Sequence, residues 1–255
     1  MILAIDIGNT NIVLGCMDGP NCVFVERLST VRTKTELEYA LDLKNVLDLY
    51  HIKRSDIEGG IISSVVPQIT TVAKIAVEKI IRKEVLVVGA GIKTGLNIRI
   101  DNPAQLGSDL VVDSVAGIAE YPVPLLIFDL GTANTVCVID ENKNYIGGMI
   151  YPGIGVSLDS LTANASQLGG ISLEAPEHII GKNTAECMKS GTIYSSAAAI
   201  DGIIDRLSEE LHGDVTVVAT GGLAEKIVLH CRRKIVLDND LLLKGLAVIY
   251  RKNRR

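Results

Sequence analysis

Two short segments of the chain place an aspartate and a glycine at the end of an apolar run, a combination that can hold phosphate groups. The first is Asp6-Ile7-Gly8 and the second is Asp129-Leu130-Gly131. A glycine after a strand lets the backbone turn sharply and approach a ligand, and the exposed amides of such a turn can bind anions. Because an aspartate repels phosphate, we expect a cation between the two. Mg²⁺ commonly binds carboxylates together with nucleotide phosphates.

A single Asp-x-Gly segment is usually only a turn, but this chain carries two in matching context. Small polar residues follow each glycine, Asn9-Thr10-Asn11 in the first copy and Thr132-Ala133-Asn134 in the second, and another apolar run comes next. Two such hairpins can hold one triphosphate from both sides. The chain contains neither a GxxxxGK[ST] loop nor a GxGxxG after a strand, so the pattern indicates a different type of nucleotide site.

Two further segments could complete a site for a nucleotide and its acceptor. Thr220-Gly221-Gly222 ends an apolar run at the start of a helix, where it would permit close approach of a base or ribose. Gly107-Ser108-Asp109 precedes another apolar, helix-like segment. Asp109 could accept the proton of a substrate hydroxyl, as an aspartate does in kinases. Alternatively, Ser108 or Asp109 could cap the helix, a role that does not exclude catalysis.

The elements that must position these residues occur twice. In each half an apolar strand, a polar turn and two more apolar runs form a three-strand meander. Asp6 and Asp129 are separated by close to half of the 255-residue chain, a period too long for a solenoid. The patterns predict helices at about 34–50, 67–82, 108–119, 183–211 and 239–251, and strands at about 59–66, 84–88, 215–220 and 235–237. We therefore expect an α/β protein of two similar lobes, 1–119 and 120–255.

The composition narrows the class of protein. A chain that is 47% hydrophobic and 22% charged is not intrinsically disordered. A net charge of −5 argues against the clustered basic surface that binding of nucleic acid needs. The five cysteines and four histidines lack the spacing of a zinc site or a disulfide framework. The sequence shows no signal peptide and no apolar stretch long enough to cross a bilayer, so we expect a cytoplasmic protein.

Taken together, these motifs are similar to those of the type III pantothenate kinases, over nearly the whole chain. The matching segments are 6–11, 101–103, 107–109, 129–135, 147–153, 181–184 and 220–222. The resemblance implies duplicated ribonuclease H-like lobes of the actin-like ATPase type, each a mixed sheet with a three-strand meander and flanking helices. It also implies transfer of the γ-phosphate of ATP to the primary hydroxyl of pantothenate, the first step of coenzyme A synthesis.

The resemblance implies a role for each matching residue. Asp6 would lie near Mg²⁺, Asp129 would bind the K⁺ or NH₄⁺ that the family requires, and Asp109 would accept the proton of the attacking hydroxyl. The ATP-binding residues would be Asp6, Ile7, Gly8, Asn9, Thr10, Asn11, Ile12, Val13, Gly131, Thr132, Gly221 and Gly222. The pantothenate site would be lined by Gly107, Ser108, Asp109, Leu110 and Thr184, at or near the interface of a homodimer.

The family usually reads Gly-Ala-Asp-Arg where this chain has Gly-Ser-Asp-Leu, and two departures from the family pattern bear on the acceptor site. Leu110 stands where the family has an arginine expected to meet the pantothenate carboxylate, and Ile100 stands where a tyrosine is common. A charge-assisted bond of that kind is worth about 1.5–3 kcal/mol. Strand alternation would point Arg99 to the opposite face from Ile100. The expected consequence is weak pantothenate affinity, a related small hydroxy acid or amide as acceptor, or lost catalysis.

Pantothenate phosphorylation is the leading hypothesis. The alternative is a nucleotide-binding regulatory protein with weak or no turnover, acting as an accessory factor in transcription. Leu110 and Ile100 favour this alternative, whereas the retained Asp6, Asp109 and Asp129 favour the enzyme. A polymerising or chaperone ATPase is disfavoured because the chain is too short for the large insertions of those proteins. We expect ATP and a small hydroxyl acceptor as ligands, and no nucleic-acid or membrane partner.

Overall fold

The computed structural model describes residues 1–165 and 167–254, which fall into two units, each built on its own sheet. Unit 1 contains Met1–Leu96, Asp101–Ala119 and the chain from Asp240 onwards. Unit 2 contains Asn97–Ile100 and Glu120–Asn239.

Both sheets are mixed and begin with an antiparallel meander. The strands of unit 1 are β1 (Ile2–Ile7), β2 (Asn11–Asp18), β3 (Asn21–Ser29), β4 (Gly59–Ser64) and β5 (Val85–Val87), in the order β3-β2-β1-β4-β5. The strands of unit 2 are β6 (Asn97–Ile98), β7 (Leu125–Leu130), β8 (Ala133–Ile139), β9 (Asn144–Pro152), β10 (Thr216–Thr220) and β11 (Val236–Leu237), in the order β11-β10-β7-β8-β9-β6. In each unit the first meander strand is followed on its other side by two parallel strands.

The two sheets share one topology. Reading β7 to β11 in place of β1 to β5 turns the first strand order into the second, with β6 added as an extra edge strand. The predicted duplication of a meander followed by parallel strands is therefore confirmed. Strand β6 pairs in parallel with β9 and was not predicted from the sequence, because two residues are too few to show a periodicity.

The helices cover the predicted segments, with bounds that differ by at most a few residues. They are α1 (Glu36–Leu49), α2 (Pro67–Ile81), α3 (Ser108–Glu120), α4 (Ile154–Asn164), α5 (Thr184–Glu210), α6 (Ala224–Val228) and α7 (Leu241–Asn253). Local chemistry sets several starts. Thr35 forms a capping box with Glu38, Pro67 occupies the first turn of α2, and Asn183 accepts a bond from the Glu186 N–H. Within the described part of the chain, no helix is both long and apolar enough to cross a membrane.

Strand β1 is apolar on both faces because both faces are covered. Leu3, Ile5 and Ile7 pack in a cluster with residues of α1 and α2. Ile2 and Ala4 pack in a second cluster with residues of α3 and α7. A central strand buried on two sides has a continuous apolar sequence, and Asp6 is its only charged residue. In unit 2 a third cluster joins β7, β8 and β10 to α5 and α6.

The C-terminal helix does not lie in the unit expected from a lobe boundary at 119/120. That boundary places it with the second lobe, whereas α7 packs against β1, β2 and β4 of unit 1. Two glycines make room for it. A Cβ at Gly15 would overlap the Leu243 side chain, and a Cβ at Gly59 would overlap the Tyr250 ring. Apolar periodicity identifies the helix but carries no information on which sheet it covers.

Candidate active site

The first acidic hairpin is an exposed turn held by hydrogen bonds. Asp6 lies near the end of β1, opposite Val13 of β2 and beside Ser63 of β4. The Gly8 N–H donates to the Asn11 carbonyl at 3.0 Å. Thr30, just after β3, fastens the turn from the side: its hydroxyl donates to the Gly8 carbonyl at 2.7 Å and its N–H donates to the Thr10 carbonyl at 2.9 Å. The turn is therefore a defined backbone surface that a ligand can reach.

The predicted ATP-binding residues of this hairpin differ in accessibility. Asn9, Thr10 and Asn11 are exposed. Ile7 and Ile12 pair across the hairpin and are buried in the core, so they could meet a nucleotide only through their backbone. The exposed side chains of this hairpin are thus those of the polar turn, while Asp6 and Val13 are half-buried.

Asp109 lies in the first turn of α3, also in unit 1. Burial raises the pKa of its carboxyl group, and the backbone N–H groups of Leu110 and of Asp109 itself oppose that rise. The Leu110 N–H donates to Asp109 Oδ1 at 2.9 Å. A Cβ at Gly107 would overlap this carboxylate, so a side chain at that position would require the carboxylate to move. A carboxylate with a raised pKa is a stronger base than an ordinary aspartate, as proton abstraction requires.

The start of α3 is tied to the end of β4 by serine hydroxyls. Ser108 Oγ accepts a bond from the Ser64 N–H at 3.1 Å, donates to the Ser64 carbonyl at 3.0 Å and lies 3.0 Å from Ser63 Oγ. Because Ser63 is the register partner of Asp6, these bonds connect the strand of the first hairpin to the residue before Asp109. The sequence analysis did not identify Ser63 or Ser64; two polar residues closing an apolar strand were the available signal.

The second acidic hairpin repeats the placement of the first. Asp129 lies near the end of β7, opposite Thr135 of β8 and beside Thr220 of β10. Gly221 has a φ of +99°, and a Cβ there would overlap both Asp129 Oδ1 and the backbone of Leu130. The turn after β10 therefore lies directly against the Asp129 carboxylate.

A third glycine supports the turn of this hairpin. The Gly153 N–H donates to the Thr132 carbonyl at 3.1 Å, and a Cβ at Gly153 would overlap the carbonyls of Gly131 and Thr132. The structure thus brings Gly131, Thr132 and Gly221 together around Asp129. Gly222 is the next residue, and a Cβ there would have no atom within 4 Å. The sequence analysis included Gly153 in the matching segment 147–153 but gave it no role in the site, because that role depends on a contact with a turn some twenty residues earlier.

Thr184, the remaining predicted substrate-site residue, lines a cleft of unit 2. The cleft has a volume of about 600 Å³ and is bordered by residues of α4 and α5. Its polar lining includes Asn134 and Tyr151, and its apolar lining includes Leu158 and Met188. Burial raises the pKa of the Tyr151 hydroxyl. The cleft can accept a small molecule with an apolar body and a few polar groups.

The two positions that depart from the family pattern lie in different units. Leu110 follows Asp109 in the first turn of α3 and is half-buried. Ile100 follows β6, where the Arg99 N–H donates to the Tyr145 carbonyl at 2.8 Å. Burial raises the pKa of Asp140, but hydrogen bonds from Asn144 and Asn142 and the charge of Arg99 together lower it. The Arg99 charge therefore acts on Asp140 within unit 2.

Comparison with known proteins decides the family. A family model described as type III pantothenate kinase matches residues 2–206. A type III pantothenate kinase of Exiguobacterium sp. is 46% identical over 100% of both chains, and one of Halalkalibacterium halodurans is 42% identical over 99% of this chain and 100% of the relative. The chain belongs to the type III pantothenate kinase family. The resemblance inferred from the motifs is confirmed.

Solved structures with the same architecture support the fold assigned to this member of the family. Component A of the (R)-2-hydroxyglutaryl-CoA dehydratase of Acidaminococcus fermentans has a TM-score of 0.58 at 16% identity, over 100% of this chain and 99% of that chain. The activator of the 2-hydroxyisocaproyl-CoA dehydratase of Clostridium difficile, with bound ADPNP, has a TM-score of 0.53 at 15% identity, over 98% of this chain and 93% of that chain. The predicted fold of two duplicated lobes, each a mixed sheet with a three-strand meander and flanking helices, is confirmed.

The carboxylates of this family member could bind a cation if a ligand supplied further oxygen atoms. In residues 1–165 and 167–254, no group of three or more His, Cys, Asp or Glu could bind a metal ion by itself. Mg²⁺ with a nucleotide usually takes one or two carboxylates, and phosphate and water oxygens fill the other positions. Asp6 beside an exposed turn fits that arrangement. Asp129 lies next to the backbone of Leu130 and Gly221, and backbone carbonyls are typical ligands of K⁺.

Proposed function

We propose that this chain phosphorylates pantothenate with ATP to give 4′-phosphopantothenate, the first step of coenzyme A biosynthesis. The observation that carries the proposal is the identity of 46%, over the full length of both chains, to a curated type III pantothenate kinase. Asp6, Asp109 and Asp129, the three carboxylates on which the chemistry depends, are all present. The curated relatives carry kinase names and give no support to a regulatory role in transcription.

In this proposal the two acidic hairpins hold the nucleotide. The exposed turn after β1 would bind phosphate oxygens, and Asp6 would hold Mg²⁺. Thr132 and the glycines around Asp129 contact ATP, and Asp129 binds K⁺ or NH₄⁺. When bound, Mg²⁺ neutralises the charge of the β- and γ-phosphates. Gly153 and Gly221 are fixed by contacts within unit 2, whereas Gly222 borders open space through which the nucleotide could approach the backbone.

Asp109 is the proposed proton acceptor. The primary hydroxyl of the acceptor attacks the γ-phosphorus, its proton passes to the Asp109 carboxylate, and the bond from the γ-phosphorus to the oxygen of ADP breaks. Burial of Asp109 supports this role because it raises the pKa of the carboxyl group. Gly107, Ser108 and Leu110 of unit 1 and Thr184 of unit 2 are each proposed to contribute to acceptor binding, and we propose a cytoplasmic homodimer as the active form.

Leu110 and Ile100 are proposed to weaken binding of the acceptor without removing the machinery for phosphoryl transfer. Leucine offers no hydrogen bond to a carboxylate, and the charge of Arg99, the neighbour of Ile100, acts on Asp140. The KM for pantothenate should therefore be high, and a related small hydroxy acid or amide could compete as acceptor.

A turnover assay tests the proposed function. The purified protein is incubated with ATP, Mg²⁺ and K⁺, and ADP formation is followed with and without pantothenate, with mass spectrometry of the product. ADP should form only with pantothenate, together with a product heavier by one phosphoryl group. The Asp109→Asn protein is the control for a contaminating kinase. ATP binding without turnover on pantothenate or its analogues would contradict the proposal and favour the regulatory alternative.

A further inference from the structure

The residues proposed to bind ATP include no lysine or arginine. Residues 6–13, Gly131, Thr132, Gly221 and Gly222 contain one carboxylate, that of Asp6, and otherwise only uncharged side chains. Enzymes that transfer phosphoryl groups commonly place a lysine or an arginine against the phosphates, where its positive charge opposes the negative charge of the nucleotide. The predicted set of ATP-binding residues therefore lacks a basic side chain.

Arg32 is a basic residue whose side chain contacts the turn after β1. Its Nη2 donates to Asn9 Oδ1 at 3.4 Å. In residues 1–165 and 167–254, this is the one hydrogen bond of the Arg32 side chain, and no carboxylate pairs with it. A guanidinium group carries five N–H donors in a planar fork. Because Arg32 is exposed, its other donors are available to an anion beside the turn.

The backbone that leads to Arg32 is held on two sides. Thr30 is bonded to two carbonyls of the turn after β1, at 2.7 and 2.9 Å. Val31 is bonded to Tyr39, a fully buried residue of α1, whose hydroxyl donates to the Val31 carbonyl at 2.8 Å and accepts from the Val31 N–H at 3.1 Å. The Arg32 side chain therefore starts from a fixed backbone next to the turn, so that only the side chain has to be ordered when a ligand binds.

Lys34, the other basic residue of this segment, has its own partner. Its Nζ lies 2.6 Å from Asp42 Oδ2 and 5.6 Å from the centroid of the Tyr39 ring. The hydrogen bond to Asp42 raises the pKa of Lys34, as expected for a paired ammonium group. The charge of Lys34 is thus balanced within unit 1, whereas the charge of Arg32 lies beside an uncharged turn.

We propose that Arg32 is a further ATP-binding residue, and that its guanidinium donates to oxygens of the phosphate chain at the turn after β1. This inference rests on the proposed function, in which that turn binds the phosphates. Arginine suits the role because its planar fork can bond two oxygens of one phosphate group. The contact with Asn9 Oδ1 uses one donor and keeps the fork beside the turn.

Calorimetric titration with ATP and Mg²⁺, without pantothenate, tests the proposal. Arg32→Gln removes the charge and keeps a polar side chain, and we expect the Kd for ATP to rise at least about ten-fold because a charge-assisted bond is lost. Arg32→Lys keeps the charge without the fork, so its Kd should lie between the two. Arg54→Gln is the matched control: Arg54 is an exposed arginine in the short turn before β4, and its replacement should leave the Kd unchanged.

Salt dependence separates a phosphate contact from a structural role. The ratio of the Kd values of Arg32→Gln and the unsubstituted protein should shrink as ionic strength rises, because salt screens the attraction between exposed charges. The Tm without ATP should change little, since the bond to Asn9 is long and exposed. An unchanged Kd in Arg32→Gln, an equal loss of affinity in Arg54→Gln, or a loss that is the same at low and high salt would each overturn the proposal.

The titration also separates this inference from the proposed function, because ATP binding does not require phosphoryl transfer. If the unsubstituted protein binds ATP but does not turn over pantothenate, the proposed function fails and the comparison with Arg32→Gln still decides the role of Arg32. If turnover is observed and the Kd of Arg32→Gln is unchanged, the inference fails alone. Absence of ATP binding by the unsubstituted protein would refute both.

Discussion

Gly221 lies so close to the Asp129 carboxylate that no side chain fits between them. Its φ of +99° is a backbone conformation that side-chain-bearing residues rarely adopt, and a Cβ would overlap Asp129 Oδ1 and the Leu130 backbone. The turn after β10 and the acidic end of β7 are thus packed against each other. The position of the Asp129 carboxylate depends on a glycine some ninety residues away in the sequence.

Gly221→Ala should therefore destabilise the protein and weaken ATP binding. Backbone strain of this kind costs about 1–3 kcal/mol, and overlap with the backbone adds to it. We expect the Tm to fall by several degrees and the Kd for ATP to rise because Asp129 is displaced. Thermal unfolding and calorimetric titration with ATP measure the two effects. Gly222→Ala is the matched control for stability, since a Cβ there meets open space and should leave the Tm unchanged. Equal Tm values for both variants would contradict the packing argument.

The proposed requirement for a monovalent cation can be tested at one carboxylate. Turnover at saturating ATP and Mg²⁺ should rise with K⁺ or NH₄⁺ and be lost when a bulky organic cation replaces them. Asp129→Asn removes the charge and keeps the shape of the side chain, so it should raise the K⁺ concentration needed for half-maximal activity. Asp140→Asn removes a carboxylate of the same unit that is bonded by Asn144 and Asn142, and it should leave the K⁺ dependence unchanged. Activity that is independent of K⁺ would refute the proposed role of Asp129.

Removal of the proposed proton acceptor should separate catalysis from nucleotide binding. Asp109→Asn keeps the size of the side chain but cannot accept the proton, so kcat should fall about 10²- to 10⁴-fold. The Kd for ATP should change little because the ATP-binding hairpin does not include Asp109. Glu120→Gln, at the exposed end of the same helix, is the control for loss of a carboxylate. A parallel loss of ATP affinity and of kcat would mean that Asp109 supports the fold instead of the reaction.

The pH dependence of stability should report the burial of Asp109. Burial raises its pKa in the folded protein above the ordinary value of about 3.9. A carboxyl group of this kind favours folding while it is protonated, and this contribution is lost as pH rises through the folded pKa. Asp109→Asn should therefore have nearly the same Tm as the unsubstituted protein below pH ~4 and a higher Tm at pH 7. Thermal unfolding across pH measures the difference, and a lower Tm for Asp109→Asn at pH 7 would contradict it.

Local sequence patterns were sufficient for the helices, for every strand except β6 and for the duplicated hairpins. The starts of α1 and α5 depend on Thr35 and Asn183, whose capping bonds reach only three residues along the chain. The bonds between Ser63 and Ser108 join residues 45 positions apart, and nothing in either local sequence specifies the other. The same reason explains why the sheet covered by α7 and the packing of Gly153 could not be predicted. Contacts between distant segments decide these features, and one sequence contains no record of them.

Leu110→Arg tests where the acceptor binds. Leu110 is half-buried in the first turn of α3, one residue after Asp109, so an arginine there begins close to the proposed proton acceptor. A charge-assisted bond to the pantothenate carboxylate is worth about 1.5–3 kcal/mol, and the KM for pantothenate should fall about ten-fold or more while the KM for ATP stays unchanged.

Leu110→Met is the matched control, since it changes the shape of the side chain without adding a charge. An amide of pantothenic acid without the carboxylate gives a second control, because Leu110→Arg should not improve its KM. If Leu110→Arg left the KM for pantothenate unchanged, or improved both substrates equally, the acceptor carboxylate would not lie at the first turn of α3. The substrate-site residues proposed around Asp109 would then have to be reassigned, while the roles of Asp6 and Asp129 toward ATP would be unaffected.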